Sequence, residues 1–204
     1  MRTYIYIDGF NFYYLALKYS NFKWLDFMSM FEKLLSSKND IIKIKYFTAN
    51  VSGKYDQNKP IRQNTYLRAL KSHIPEIEII KGHFQTHEIM MPLASNPKKR
   101  VKVLKTEEKC TDVNLAVHLV NDGQKDLYDC AVVLSNDGDL LEAMKIVHDE
   151  LKLCIGLVTP GKAKISKSLI KYATFKKRIR KNILKLSQLP NPIPDTKIYK
   201  PKNW

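Results

Sequence analysis

Short apolar runs alternate along this chain with segments in which apolar residues recur every three or four positions. The run at residues 131–134 is typical of a strand that is buried on both faces. Further strands are predicted at residues 3–7, 41–49, 77–80 and 151–158. Helices are predicted at residues 10–17, 27–35, 60–74, 113–120 and 140–147, with a short one at 165–173. Because strands and helices alternate, the sequence predicts an α/β fold with a mainly parallel central sheet.

Two segments depart from this alternation. Apolar residues at 89–93 and 101–104 flank a polar stretch that holds Lys98, Lys99 and Arg100, and this pattern predicts an inserted β-hairpin at about residues 84–105 with a basic tip. After residue 175 the chain becomes a basic amphipathic segment and then a proline-rich stretch, for which we expect an extended, mobile tail. We therefore divide the chain into a domain at residues 1–175 and an appendage at residues 176–204.

The formal charge of +15 is concentrated near the end of the chain. Residues 161–204 contain thirteen lysines and arginines and a single acidic residue, Asp195, whereas residues 1–160 are close to neutral. Such asymmetry indicates a polyanionic partner, either nucleic acid or an anionic membrane surface. The membrane is the weaker alternative because the basic segment lacks a broad aromatic face. A basic segment that is simply solvated also remains open.

The remaining totals bear on the compartment. No apolar run approaches the length of a membrane span, and the first residues lack the pattern of a secretory signal. The three cysteines, Cys110, Cys130 and Cys154, are odd in number and far apart, as in proteins whose thiols stay reduced. We therefore expect a cytoplasmic protein without a membrane partner.

Acidic side chains stand where the predicted strands end or the predicted helices begin. Asp8 and Asn11 follow the first strand, Asp112 precedes a helix, and Asp137 and Asp139 follow the strand at residues 131–134. Helix N-capping is the commoner role for such residues and remains an alternative. A parallel sheet, however, gathers these positions on one edge, where carboxylates without neighbouring Lys or Arg repel one another. Mg²⁺ or Mn²⁺ would relieve that repulsion, because oxygen-only ligands favour these ions over zinc.

Three ordered motifs resemble the NYN domain family, the LabA-like (DUF88) members of the PIN-like nuclease superfamily. They lie at residues 5–11, 108–116 and 128–140, within a resemblance that spans roughly residues 3–175. The resemblance implies a PIN-like three-layer α/β/α sandwich and metal-dependent ribonuclease activity. The catalytic residues it implies are Asp8, Asn11, Asp112, Asp137 and Asp139, of which the four aspartates would hold Mg²⁺ or Mn²⁺.

The chain departs from the family pattern at two positions. Cys110 stands where a glycine is usual, and His118 stands where many members have another acid, so one metal ion is better supported than two. Lys109 matches a lysine that precedes the middle aspartate and is a candidate for phosphate contact. The other candidates for RNA contact are Lys98, Lys99, Arg100, Lys176, Lys177, Arg178, Arg180 and Lys181. For residues 98–100 plain solvation is an equally good interpretation.

These observations favour a Mg²⁺- or Mn²⁺-dependent endoribonuclease that acts on RNA, preferably single-stranded. One of the carboxylates would act as general base toward the attacking water, and Asn11 would orient a carboxylate or the scissile phosphate. A non-catalytic RNA-binding or regulatory module is one alternative. A small-molecule phosphohydrolase is another, weakened because Asp8 is followed by Gly9-Phe10 rather than by the DxD of haloacid-dehalogenase-like enzymes. The sequence leaves a homodimer open.

Overall fold

The computed structural model describes residues 1–54, 56–161, 164–202 and 204. Within these residues seven strands form one sheet in the order β4-β3-β2-β1-β5-β6-β7. The strands are β1 (Arg2–Asp8), β2 (Asp40–Ala49), β3 (Ile77–Leu93), β4 (Asn96–Lys109), β5 (Cys130–Leu134), β6 (Cys154–Thr159) and β7 (Phe175–Arg178). Neighbouring strands are parallel except β3 and β4, which form an antiparallel pair. The carboxyl ends of the parallel strands therefore lie on one edge of the sheet.

Helices connect the strands and cover both faces of the sheet. They are α1 (Gly9–Phe12), α2 (Phe27–Leu34), α3 (Asn58–His73), α4 (Thr111–Gln124), α5 (Leu141–Lys145), α6 (Lys167–Ile170) and α7 (Lys181–Leu186). Two of them continue as π-helical turns, α1 into Tyr13–Leu17 and α5 into Ile146–Glu150, and a 3₁₀ turn at Gly138–Leu140 precedes α5. Within the described segments, no helix is both long enough and apolar enough to cross a membrane.

The alternation of side chains along the central strand β1 supplies both cores of the domain. Ile5 and Ile7 pack on the face that α1, α2, α3 and α7 cover, whereas Tyr6 packs on the face that α4, α5 and α6 cover. The neighbouring strand β5 is buried along its whole length, as expected of a central strand in a parallel sheet. The predicted three-layer α/β/α sandwich with a mainly parallel sheet is confirmed.

Strand β3 takes part in two kinds of pairing. Its first part pairs in parallel with β2, and beyond Gly82 it continues as an antiparallel hairpin with β4. The inserted hairpin is thus confirmed, but it pairs over residues 83–109 and is longer than predicted. The turn lies at residues 94–95, and Lys98, Lys99 and Arg100 follow it at the start of β4, where the register with β3 shifts between Pro92 and Leu93. The hairpin therefore carries these basic residues next to its turn, as predicted.

The C-terminal segment packs against the domain. Strand β7 pairs in parallel with β6 and carries the sheet past residue 175, where we placed the domain boundary. Beyond it, Leu184 of α7 is buried in the core on the α2 side of the sheet, as are Leu189, Ile193 and Ile198. The expectation of an extended tail is therefore wrong. The high proline and lysine content of this segment predicts an exposed tail, whereas the apolar residues spaced between them are the ones that enter the core.

Candidate functional site

Three carboxylates from distant parts of the chain meet at the carboxyl edge of the sheet. Asp8 is the last residue of β1, Asp112 lies in the first turn of α4, and Asp137 follows β5. One carboxylate oxygen from each lies within 4.8 Å of the other two. Strands β1 and β5 are direct neighbours in the sheet, and α4 packs on β1, which explains why these sequence-distant residues converge.

Asp8 is held in a fixed orientation at the bottom of this group. Asp8 is only 2% exposed. Its Oδ1 atom accepts a 3.0 Å hydrogen bond from the backbone N–H of Asn11, and its Oδ2 atom accepts a 2.7 Å hydrogen bond from the hydroxyl of Ser135. Burial raises the pKa of Asp8, while these two hydrogen bonds oppose the rise. Asp8 therefore caps α1 and also contributes to the acidic group, since each carboxylate oxygen has two lone pairs.

Asp137 and Asp139 occupy different positions although they are one residue apart. Asp137 accepts a 3.0 Å hydrogen bond from the backbone N–H of Asp139, and its own N–H donates to the Ser135 hydroxyl at 3.0 Å. Asp139 is exposed and is not part of the group of three. Its charge nevertheless contributes to raising the pKa of Asp112. The structure thus brings together three of the four aspartates that the sequence suggested as metal ligands and leaves Asp139 beside them.

Asp112 has a more strongly shifted pKa than Asp8. Burial, followed by the charges of Asp8 and Asp137, raises its pKa to about 6. Among the described residues, no Lys or Arg forms an ion pair with Asp8, Asp112 or Asp137. The group therefore combines uncompensated negative charges in a partly buried place.

Glu108 is a further acid at this place, to which sequence reasoning assigned no role. Its Oε1 atom accepts hydrogen bonds from the backbone N–H of Thr111, at 3.1 Å, and from the Thr111 hydroxyl. Its charge also raises the pKa of both Asp8 and Asp112. Glu108 therefore satisfies the start of α4 while adding negative charge to the group. The signal that could have found it is a Glu three residues before a Thr at a predicted helix start.

The start of α4 also explains a departure from the family pattern. Cys110, at the N-cap position, adopts a left-handed backbone conformation with a φ of 77° and makes no side-chain capping hydrogen bond. That conformation is one that glycine adopts without steric cost. The glycine that is usual in the family at this position is thus replaced here by a residue that adopts the same conformation under strain.

Asn11 acts on the loop that carries Asp137. Its Oδ1 atom accepts a 3.1 Å hydrogen bond from the backbone N–H of Asn136. The Asn136 side chain in turn contacts the backbone of Lys164 and Ser166, at 2.9 and 2.8 Å. Asn11 therefore links α1 to the loop after β5, which fits a positioning role.

His118 faces away from the acidic group, toward a buried ion pair. Its Nδ1 atom lies 3.0 Å from Lys45 Nζ, which in turn lies 2.5 Å from Asp122 Oδ2. Burial and the charge of Lys45 lower the pKa of His118. A second cation beside this lysine would be repelled, which agrees with the view that one metal ion is better supported than two.

The basic residues suggested for RNA contact lie in three places. Arg178, Arg180 and Lys181 are exposed near the carboxyl end of β7, which is the edge where Asp8 lies; Lys176 and Lys177 are exposed earlier on the same strand. Lys98, Lys99 and Arg100 are exposed on β4, about 30 Å along the hairpin from that edge at the usual rise per strand residue. Lys109 is closer to the acidic group and forms an ion pair with Glu107 at 3.3 Å.

The donor set fits a hard divalent cation. Asp8, Asp112 and Asp137 offer carboxylate oxygens and no sulfur or imidazole ligand, which suits Mg²⁺ or Mn²⁺ better than zinc. A bound cation would also remove the repulsion that raises the pKa of Asp112. The residues present therefore fit the metal that the resemblance implies.

Comparisons with known proteins agree with the fold and identify the family of this chain. A solved structure of a protein of unknown function from Vibrio parahaemolyticus, VPA0982, superposes with a TM-score of 0.56 at 16% identity, covering 89% of this chain and 94% of that one, which shows a common fold. A relative from Pseudomonas putida (strain DSM 28022 / S16), 6-hydroxy-3-succinoylpyridine 3-monooxygenase HspA, is 32% identical over 237 aligned positions. The alignment includes all of this chain and 75% of the relative.

A family model gives the clearest assignment. The model of the NYN domain matches residues 2–177, which contain the three carboxylates, Asn11 and Glu108. The match includes strands β1 to β6 and helices α1 to α6, and it ends within β7. The chain belongs to the NYN domain family.

Proposed function

We propose that this protein is an endoribonuclease that uses Mg²⁺ or Mn²⁺ to hydrolyse phosphodiester bonds of single-stranded RNA. One observation supports the proposal above the others: Asp8, Asp112 and Asp137 meet within 4.8 Å without a compensating Lys or Arg among the described residues. Carboxylates this close repel one another, and the repulsion costs folding free energy unless a cation is bound. Membership of the NYN domain family agrees with nuclease chemistry.

The proposed roles follow from the contacts of each side chain. Asp8, Asp112 and Asp137 hold the cation, and the cation, when bound, ionises water and stabilises negative charge on the phosphate. Ser135 and Asn11 keep Asp8 and the Asp137 loop in place. Asp139 lies beside the group without belonging to it, so its oxygens remain available to accept the proton of the attacking water.

RNA would approach along the carboxyl edge of the sheet. Arg178, Arg180 and Lys181 are exposed at that edge and would contact phosphates on one side of the acidic group. The hairpin basic residues at 98–100 lie about 30 Å away along β4, so they would contact only a strand that extends several nucleotides from the scissile bond. Lys109, paired with Glu107, would have to exchange that partner for a phosphate.

Cleavage of an end-labelled single-stranded RNA tests the proposal. We expect products with Mg²⁺ or Mn²⁺, none with excess EDTA, and a loss of at least about 100-fold in Asp8→Asn and Asp137→Asn. Asp195→Asn, at an exposed aspartate in the C-terminal segment, is the matched control and should cleave normally. RNA binding without cleavage under any of these metals would instead favour a regulatory module.

The curated relative supports a second candidate function. Its name describes oxygenation of a hydroxylated pyridine that carries a succinoyl group, and it is 32% identical over all of this chain. An oxygenase of this kind would consume O₂ together with a reductant. We would therefore measure O₂ uptake and NADH oxidation with 6-hydroxypyridine substrates in the same preparations. Substrate-dependent O₂ uptake, with no RNA cleavage, would favour this second function over the first.

A further inference from the structure

A cavity of about 330 Å³ opens beside the acidic group, on the side of the sheet that α1 and α3 cover. Gly9 and Phe10, which directly follow Asp8, form one of its walls. Tyr46 of β2 forms another, and its ring lies so close to Gly9 that a Cβ atom added there would come within 2.8 Å of it. Burial raises the pKa of Tyr46 to about 12, and the charge of Asp8 contributes to the rise.

Aromatic rings form a large part of the cavity lining. They are those of Phe10, Tyr13, Tyr14, Phe27, Tyr46, Tyr66 and Trp204. Trp204 packs against Tyr66 with ring centroids 5.2 Å apart, and its buried indole Nε1 atom has no hydrogen-bond partner among the described residues. The aromatic lining suits a flat ring, because stacking on Tyr and Trp side chains is favourable for any planar heterocycle.

The polar part of the lining carries net positive charge. Lys23, Lys59 and Arg62 line the cavity, and the acidic residue among the described lining residues is Asp56, which pairs with Arg62 at 2.5 Å. Lys23 and Lys59 have no carboxylate within ion-pair distance among the described residues. The cavity therefore offers aromatic surface for a ring and cations for an anionic group attached to it.

We propose that this cavity seats one planar heterocycle with its attached anionic group, and that the occupant is an unstacked nucleobase of the RNA strand with its phosphate toward Lys59 and Arg62. The RNA assignment rests on the proposed function. A volume of about 330 Å³ is large enough for a single nucleoside. Single-stranded RNA is recognised through bases that leave the stack and pack on aromatic side chains, so a base bound here would position its strand next to the carboxylates.

A free heterocyclic acid also combines a planar ring with an anionic group. The pyridine compound in the name of the curated relative is an example. The two sources are separated by the choice of probe. We would titrate the protein with uridine 5′-monophosphate, adenosine 5′-monophosphate and 6-hydroxynicotinate, and follow binding by calorimetry. Binding of a nucleotide in preference to 6-hydroxynicotinate is the expected result. Binding of 6-hydroxynicotinate alone would overturn the RNA assignment, and binding of none of the three would overturn the site.

Matched variants locate the binding. Tyr14 lines the cavity at 56% exposure, and Tyr199 lies outside it at 61% exposure, so Tyr14→Ala and Tyr199→Ala remove similar surface rings from different places. Arg62 lines the cavity, and Arg68 is exposed on the same helix outside it. We expect Tyr14→Ala and Arg62→Gln to weaken nucleotide binding about tenfold, and Tyr199→Ala and Arg68→Gln to leave it unchanged. Equal weakening by a cavity variant and its control would contradict the proposal.

The experiment also separates this inference from the proposed function. Asp137→Asn should abolish RNA cleavage while nucleotide binding in the cavity persists. Wild-type protein that binds a nucleotide through Tyr14 and Arg62 but never cleaves RNA would contradict the nuclease proposal alone. If wild type cleaves RNA, and Tyr14→Ala and Arg62→Gln cleave it with the same KM as wild type, the cavity proposal alone would be contradicted.

Discussion

The Ser135 hydroxyl donates a 2.7 Å hydrogen bond to Asp8 Oδ2 and accepts the backbone N–H of Asp137 at 3.0 Å. Through one oxygen atom, the residue after β5 fixes a carboxylate at the end of β1 and the loop that carries a second carboxylate. Ser135 is fully buried, so water does not compete for either contact. It is therefore a positioning residue for the acidic group.

Ser135→Ala removes both contacts. We expect the pKa of Asp8 to rise further, Mn²⁺ affinity to fall about tenfold, and stability to fall by about 1–2 kcal/mol. Mn²⁺ titration and urea denaturation measure these effects. Ser187→Ala is a matched control, because Ser187 is also fully buried and its hydroxyl has no partner among the described residues. Unchanged Mn²⁺ affinity in Ser135→Ala would show that the hydrogen bond does not position Asp8.

Asp112 should make the metal-free protein less stable at neutral pH than in mild acid. Its pKa is raised to about 6 in the folded protein, so the protonated carboxyl is stabilised by folding and that contribution is lost as the pH rises through about 6. Because the side chain is partly exposed, we expect a discounted effect on the order of 1 kcal/mol, or about 2–4 °C in Tm.

Thermal melts of metal-free wild type and Asp112→Asn, from pH 4 to pH 8, test this expectation. The variant should melt above wild type at pH 7.5, and the difference should shrink toward pH 4, where the carboxyl is protonated in folded wild type. Addition of Mn²⁺ at pH 7.5 should raise the Tm of wild type and not that of the variant. A difference in Tm that does not change with pH would mean that the pKa of Asp112 is not raised in the folded protein.

The buried ion pair between Lys45 and Asp122 is expected to stabilise the fold without a role in metal binding. The two residues are 6% and 3% exposed, and Asp122 also accepts a 2.8 Å hydrogen bond from the Tyr6 hydroxyl. Asp122→Ala leaves a buried lysine without its partner and should cost about 3–5 kcal/mol. Glu142→Ala, which breaks the exposed pair with Lys145, should cost less than about 1 kcal/mol.

Urea denaturation compares the two variants of these ion pairs directly. Wherever Asp122→Ala remains folded, its Mn²⁺ affinity should equal that of wild type. A selective loss of Mn²⁺ binding would instead place this pair in the metal centre.

Cys110→Gly should stabilise the protein. The left-handed conformation at Cys110 costs about 1–2 kcal/mol for a residue with a Cβ atom, whereas glycine loses about 0.5–1 kcal/mol of chain entropy on folding. We therefore expect a net gain of about 0.5–1 kcal/mol by chemical denaturation. Cys110→Ala keeps the strained conformation and should show no gain, so equal stabilities of the two variants would remove the backbone explanation.

The sequence predicted the architecture and the convergence of three carboxylates because both follow from local rules. Asp8 ends β1 and Asp137 lies in the loop after β5, and parallel strands bring such ends to one edge. Asp139 was grouped with them because spacing along the chain does not tell which way a side chain points in a tight 3₁₀ turn. Ser135 and Glu108 were missed because their contacts depend on the exact approach of neighbouring elements.

The C-terminal segment shows a different limit of sequence reasoning. Lys176, Lys177 and Arg178 are exposed, so their strand has the composition of a solvated segment, and its pairing with β6 depends on hydrogen bonds of the backbone. The ring of Phe175 packs against Gly156, where a Cβ atom would lie 2.2 Å from the ring. Neither feature is visible in composition or periodicity, since both depend on which strand lies next to which.

Anomalous diffraction from Mn²⁺-soaked crystals tests the account most directly, because it locates the cation independently of any activity. The account predicts one strong peak at about 2.1 Å from carboxylate oxygens of Asp8, Asp112 and Asp137, and its absence in Asp137→Asn crystals. Mn²⁺ bound only at other acidic residues, or no peak at these three aspartates at millimolar Mn²⁺, would contradict it.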